Sequence, residues 1–268
     1  MSDVISVLSL SDSIRHILSA VCAVVYFSAF AACLLKSEKL KKISSLIWGV
    51  GTAINGLIVV SNWAVNGYMP FVSMYQVLTF LGVTYSFVYV YISRRYRSEF
   101  LGPYFILFQA IIMTGVFFMG KTASAWTFPP ALQSAYFIPH VLSYMISYTL
   151  VAVAALICII SFFLKGENKL RHEKAVYHLV ITGFPFMVLG MFLGALWANA
   201  CWGNFWSWDL KETWSLLTVM TLSSYLHLRR TATFGKYAKV LVIAAFAFEI
   251  ITLFFVGMFD SGSIHSYS

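Results

Sequence analysis

Charge is what this 268-residue chain has least of: only 10% of its residues are Asp, Glu, Lys or Arg, against about 25% in an ordinary soluble domain. With 60% hydrophobic residues, that deficit excludes a soluble globular protein and points to a polytopic membrane protein. Cysteine is also scarce. The four present, Cys22, Cys33, Cys158 and Cys201, form no CxxC pair and no metal-type spacing, and three of them sit in apolar runs as small core residues. The first fourteen residues lack the basic start of a signal peptide, so the first apolar segment is expected to stay in the protein as a helix. No low-complexity run or internal repeat is evident in the sequence.

What is there in abundance is apolar sequence in long runs. A membrane-spanning helix needs about 20 mostly apolar residues, and eight segments meet that need: roughly 14–35, 43–61, 72–92, 101–119, 139–164, 176–196, 214–228 and 237–258. The reading is an all-α, polytopic helical bundle, a single membrane domain over 1–268. The formal charge of +8 would suit nucleic acid, but its placement excludes that partner. Fifteen of the eighteen Lys and Arg residues lie in the alternate connections 36–42, 94–97, 165–174 and 229–239, leaving only Arg15, Lys121 and Lys211 elsewhere. Cytoplasmic connections collect basic residues. Both termini are therefore expected outside the cytoplasm, and so is the connection before the seventh helix.

That connection is unusual. Five of the eight tryptophans, Trp197, Trp202, Trp206, Trp208 and Trp214, fall within residues 197–214, together with Asp209, Lys211 and Glu212. Indole rings suit either a membrane interface or a flat apolar ligand. An aromatic belt is normally spread over many helix ends, whereas these rings are concentrated in one connection. Helical spacing would put Trp202, Trp206, Asp209 and Thr213 on one stripe with Trp208 pointing away, so a short helix lying along the interface is expected. Two histidines belong to the same outer face: His140 at the start of the fifth segment and His265 beyond the eighth. His227 lies thirteen residues after Trp214, about 20 Å deeper along a helix. Imidazole is a common axial ligand of haem iron, but a histidine at a helix end is also an ordinary interfacial side chain. Glu249, mid-way along the eighth segment, should face the bundle interior and be paired or protonated.

Trp202-Gly203-x-x-Trp206-x-Trp208-Asp209, followed by Lys211-Glu212-Thr213-Trp214, resembles the WWD signature of haem-handling membrane proteins. The continuation most resembles the CcsA (ResC) branch, a subunit of the system II cytochrome c synthetase. Further likeness lies in Pro130-Ala131-Leu132-Gln133-Ser134, Ser147-Tyr148, Gly183-Phe184-Pro185-Phe186, Gly194-Ala195, Tyr225-Leu226-His227 and His265-Ser266-Tyr267, so it runs over roughly 66–268. Leu210 stands where the family usually has Pro, Cys201 where a small residue is common, and Gln76 where Glu is expected.

The resemblance implies that residues 197–214 form an external haem-binding segment in which Trp202, Gly203, Trp206, Trp208, Asp209 and Trp214 contact the cofactor. It implies that His140 and His265 are axial ligands of an external haem b, and that His227 is a ligand at a second, transmembrane haem. The partners it implies are a CcsB (ResB) subunit and an apocytochrome c with a CxxCH motif, in a bacterial cytoplasmic membrane. The activity implied is that of a holocytochrome c synthase, a haem lyase forming thioethers. The alternative is a carrier that presents haem to a chaperone without forming them.

Overall fold

The computed structural model describes residues 11–35, 37–119, 128–231 and 237–255. All regular structure among these residues is helical. The chain divides into two compact units, Met1–Gln133 and Ser134–Ser268.

The first unit contains α1 (Asp12–Leu34), α2 (Glu38–Asn66), α3 (Met74–Tyr96) and α4 (Gly102–Met119), the last entered through a 3-10 turn at Glu99–Leu101. α1 packs on α2 and α4, and α3 packs on the same two, so the four helices close a ring. Polar side chains tie the ring together. Gln109 of α4 is fully buried; its Oε1 accepts from Trp48 Nε1 at 2.8 Å, and its Nε2 donates to Ser86 Oγ at 2.6 Å and to the Gly82 carbonyl at 2.9 Å. Among apolar helices such hydrogen bonds substitute for a hydrophobic driving force that lipid removes. Arg15, buried near the start of α1, pairs with Asp12. His16 stacks on Phe117, ring centroids 4.7 Å apart. Ser73 and Gln76 start α3 with a capping box: Ser73 Oγ accepts from the Gln76 N–H, and Gln76 Oε1 accepts from the Ser73 N–H. Gln76 therefore does the work a Glu would do at that position.

The second unit contains α5 (Phe137–Ser161), α6 (Gly166–Trp202), α7 (Leu210–Leu228) and α8 (Ala238–Ile250), which runs on into a π-helical turn at Ile251–Phe255. α5 packs on α6 and α8, and α7 on the same two, closing a second ring of the same neighbour order.

The eight α-helices among the described residues thus match the eight expected segments. Six of them, α1 to α6, are long and apolar enough to cross a membrane by length and composition. α7 carries Lys211, Glu212 and several Ser and Thr, and α8 has 13 residues before its π turn. One boundary differs substantially. The connection expected at 165–174 is helical, because α6 begins at Gly166. Hydropathy located the apolar part, but Glu167, Lys169, Leu170, Arg171, Glu173 and Lys174 are good helix formers whatever their polarity. At 37 residues, α6 is about 55 Å long, well beyond a hydrocarbon core of about 30 Å.

Candidate functional site

The tryptophan stretch is not the short interfacial helix its spacing suggested. Residues up to Trp202 complete the last turns of α6, and Gly203, at φ +78°, ends the helix with its N–H on the Asn199 carbonyl at 2.9 Å. The left-handed conformation favours glycine. Asp209 then starts α7: its Oδ1 accepts from the Glu212 N–H at 2.8 Å, while Glu212 Oε2 accepts from the N–H groups of Ser207 at 2.7 Å and Asp209 at 3.3 Å. Between a helix stop and a helix start, residues 204–208 have no room for a helix of their own. They form a non-helical connection in which Trp206 and Trp208 meet edge to face, centroids 5.8 Å apart. Trp208 itself has φ +61° and is 69% exposed. Trp206 is half-buried, and its Nε1 meets no hydrogen-bond partner among the described residues.

A second set of rings leads from the end of α6 to His140. Trp202 packs against Trp197 at 5.1 Å, Trp197 against Phe137 at 5.2 Å and His140 at 5.7 Å, and His140 against Tyr144 at 4.8 Å. Tyr144 continues to Tyr148 at 5.5 Å. Trp197, only 4% exposed, is the hub, and its residue type alone did not single it out as a contact residue.

His140 is seated in a groove that α6 makes by omitting side chains. A Cβ on Gly194 would lie 2.7 Å from His140 Cε1, one on Gly190 2.8 Å from Tyr144 Cδ1, and one on Gly183 3.1 Å from Leu150 Cβ. His140 Nδ1 lies 2.8 Å from the Gly190 carbonyl oxygen. A carbonyl only accepts, so Nδ1 carries the proton and the neutral ring's lone pair is on Nε2. Metal-ligating histidines are commonly held in this way, through the ring N–H they do not use for the metal. The signal was present in the spacing: Gly190, Gly194 and Trp197 are four and three residues apart on α6, as His140 and Tyr144 are four apart on α5, and such intervals share a helix face.

The remaining expected residues separate. Trp214, in the first turn of α7, packs on Phe248 of α8 at 5.2 Å. Gly203 and Asp209 shape the backbone at the two ends of the connection. His227 is exposed near the far end of α7. His265 lies outside the described residues. Glu249 faces the interior as expected, 2% exposed, but neither carboxyl oxygen meets a hydrogen-bond partner among the described residues. No cluster of three or more His, Cys, Asp or Glu able to hold a metal ion occurs among the described residues. Coordination by single imidazoles above and below a macrocycle needs no such cluster.

Comparison with known proteins adds a family. The family model described as Cytochrome C assembly protein matches residues 71–264. A cytochrome c biogenesis protein CcsA from Chlamydomonas reinhardtii is 30% identical over 244 residues, covering 84% of this chain and 68% of the relative. The protein of that name from Porphyra purpurea is 27% identical over 297 residues, covering 91% and 92%. That from Nicotiana tomentosiformis is 29% identical over 259 residues, covering 80% and 81%.

Proposed function

We infer the function from one premise: this chain belongs to the cytochrome c assembly protein family. It is a multi-pass membrane protein of cytochrome c biogenesis, a process that handles haem. Its specific role is delivery of haem b across the membrane and its covalent attachment to an apocytochrome c outside, the reaction of a holocytochrome c synthase-type haem lyase. The seating of His140 carries this reading. Its ring is oriented by the Gly190 carbonyl, which assigns the proton to Nδ1 and the lone pair to Nε2, and it adjoins the Trp197–Trp202 ring pair. These residues fit an axially ligated porphyrin: one imidazole of fixed tautomer beside a wall of indoles.

Within this proposal His140 and His265 are the external ligands, and Trp202, Trp206 and Trp208 supply the indole contacts that position the macrocycle. Gly203 and Asp209 fix the connection that carries the indoles, and Trp214 anchors it to α8. His227, exposed on α7, serves a second haem whose opposite ligand comes from a CcsB-like subunit. The tryptophan connection and both termini face outward, across the bacterial cytoplasmic membrane. The substrate brings the chemistry. Each cysteine thiol of CxxCH adds across a vinyl group: a C–S bond forms, the π bond is lost, and the thiol hydrogen ends on the other vinyl carbon. No external oxidant is needed, and the chain's contribution is positioning, which can supply large rate factors.

The test is co-expression of the chain with a CcsB-like subunit and a CxxCH apocytochrome. His140→Ala and His265→Ala should each alter one haem signal, His227→Ala a different one, and all three should lower thioether yield. Wild-type spectra and yield in all three variants would overturn the proposal. Bound haem with no thioether product from the complete wild-type set would favour the carrier role instead.

A further inference from the structure

The second unit holds a cavity that the haem reading does not use. It lies where α6 begins, α7 ends and α8 begins, has a volume of about 620 Å³, and is lined by Gly166, Lys169, Glu173, Tyr225, Arg229 and Lys239 among others. Three cations and one carboxylate thus face a single space. The carboxylate is already engaged: Lys239 Nζ lies 2.9 Å from Glu173 Oε1 and donates to Ser161 Oγ at 3.1 Å. Lys239 is buried, while Glu173 is partly exposed. That pair neutralises itself and leaves Lys169 and Arg229, neither of which has a carboxylate partner among the described residues. The Arg229 guanidinium is held over the Tyr177 ring, 3.8 Å from its centroid, and so is fixed in place.

We propose that this cavity binds a phosphate-bearing anion, and that its source is the headgroup of an anionic phospholipid. An excess of two cations, one of them held in place by the Tyr177 ring, calls for an anion. Arg and Lys together, with the hydroxyls of Tyr225 and Thr231 also in the lining, suit a tetrahedral oxyanion with several acceptor atoms. The cavity is far larger than one phosphate group and lies in the range that accommodates whole small molecules. The helices that frame it belong to a membrane bundle, and basic pockets between membrane helices near a membrane surface take anionic headgroups. Lys169 and Arg229 are on different helices, so an occupant would cross-link the start of α6 to the end of α7. The inference goes beyond the haem role and does not depend on it.

The experiment uses the full chain in a neutral detergent. Binding of phosphatidylglycerol, phosphatidylcholine and inorganic phosphate is measured by native mass spectrometry and by thermal melting. Phosphatidylglycerol should bind the wild type and raise its Tm, and bind Lys169→Gln/Arg229→Gln roughly thirty-fold more weakly, the effect of removing two cations near a charged headgroup. Phosphatidylcholine should bind weakly to both. Lys169→Arg/Arg229→Lys, which keeps the charge, should retain binding, and so should Arg94→Gln/Arg95→Gln, which removes two cations from another helix end. If inorganic phosphate binds in a Lys169- and Arg229-dependent way and phosphatidylglycerol does not, the site stands with a free anion as its source. Equal phosphatidylglycerol binding by the wild type and the Lys169→Gln/Arg229→Gln variant, with no variant-sensitive effect of phosphate, would overturn the proposal.

Discussion

At Gly194 the absence of a side chain gives the His140 imidazole its place. A methyl group there would sit 2.7 Å from the ring, so Gly194→Ala must push the ring out of its seat while leaving the imidazole in the chain. Displacing an outer-shell support costs metal ligation 10- to 100-fold as a rough rule, so Gly194→Ala is expected to lower haem occupancy roughly tenfold, measured by Soret absorbance per protein, with helix content unchanged by circular dichroism. Trp208 allows the complementary test. Its left-handed backbone costs about 1–3 kcal/mol, and its ring is mostly exposed, so the fold gains little from it. Trp208→Gly should melt no lower than the wild type yet bind less haem. Lower stability with unchanged haem would show the ring to be structural. Residue type made the histidines and tryptophans legible in the sequence. It did not reveal that Gly190 and Gly194 define the seat, because glycine is frequent in membrane helices for many reasons. The role of Trp197 as hub was hidden for a different cause: neighbours across a helix pair are not written in one helix.

The helices themselves were legible where hydropathy changes sharply and less so where it does not. All eight were foreseen, but the start of α6 was missed because its first turns are charged and helical at once. In the tryptophan connection, ring spacing points to a helix that the flanking signals forbid: Gly203 stops one helix and Asp209-x-x-Glu212 starts the next, and those signals outrank ring spacing. The second signal predicts a graded series. Asp209→Ala should cost about 1 kcal/mol through the lost N-cap, and Asp209→Asn should cost only a few tenths, since Asn caps as well as Asp. Glu212→Gln should be equally mild, for Gln76 already completes the same box at α3, whereas Glu212→Ala should not. Thermal unfolding of the four variants in one detergent decides the matter. A large loss with Asp209→Asn would mean that the carboxylate's charge, not its capping, is what α7 needs.

Across the whole molecule, the two units repeat a plan that the sequence does not display. Each is a ring of four helices with the same neighbour order. In the first, Tyr26 of α1 packs where a Cβ on Gly51 of α2 would fall, and Cys22, one turn earlier, donates to the Gly51 carbonyl at 3.3 Å. In the second, Tyr144 packs at Gly190 and His140, one turn earlier, donates to the Gly190 carbonyl. No repeat was evident from residue to residue, because packing constrains size and shape at a few contacts and leaves most lipid-facing positions undetermined. A chain ending at Gln133 is therefore expected to accumulate in the membrane with protease-resistant helices; complete digestion of that fragment, under conditions that spare the full chain, would refute the expectation.

Every helix of the first ring finds its neighbours within residues 12–119. During translation, the first quartet can thus be complete in the bilayer before the last two helices, α7 and α8, have been made. The half that carries the imidazole seat would then be completed second, and a chain cut or released at the junction would leave a folded remnant instead of an unfolded one.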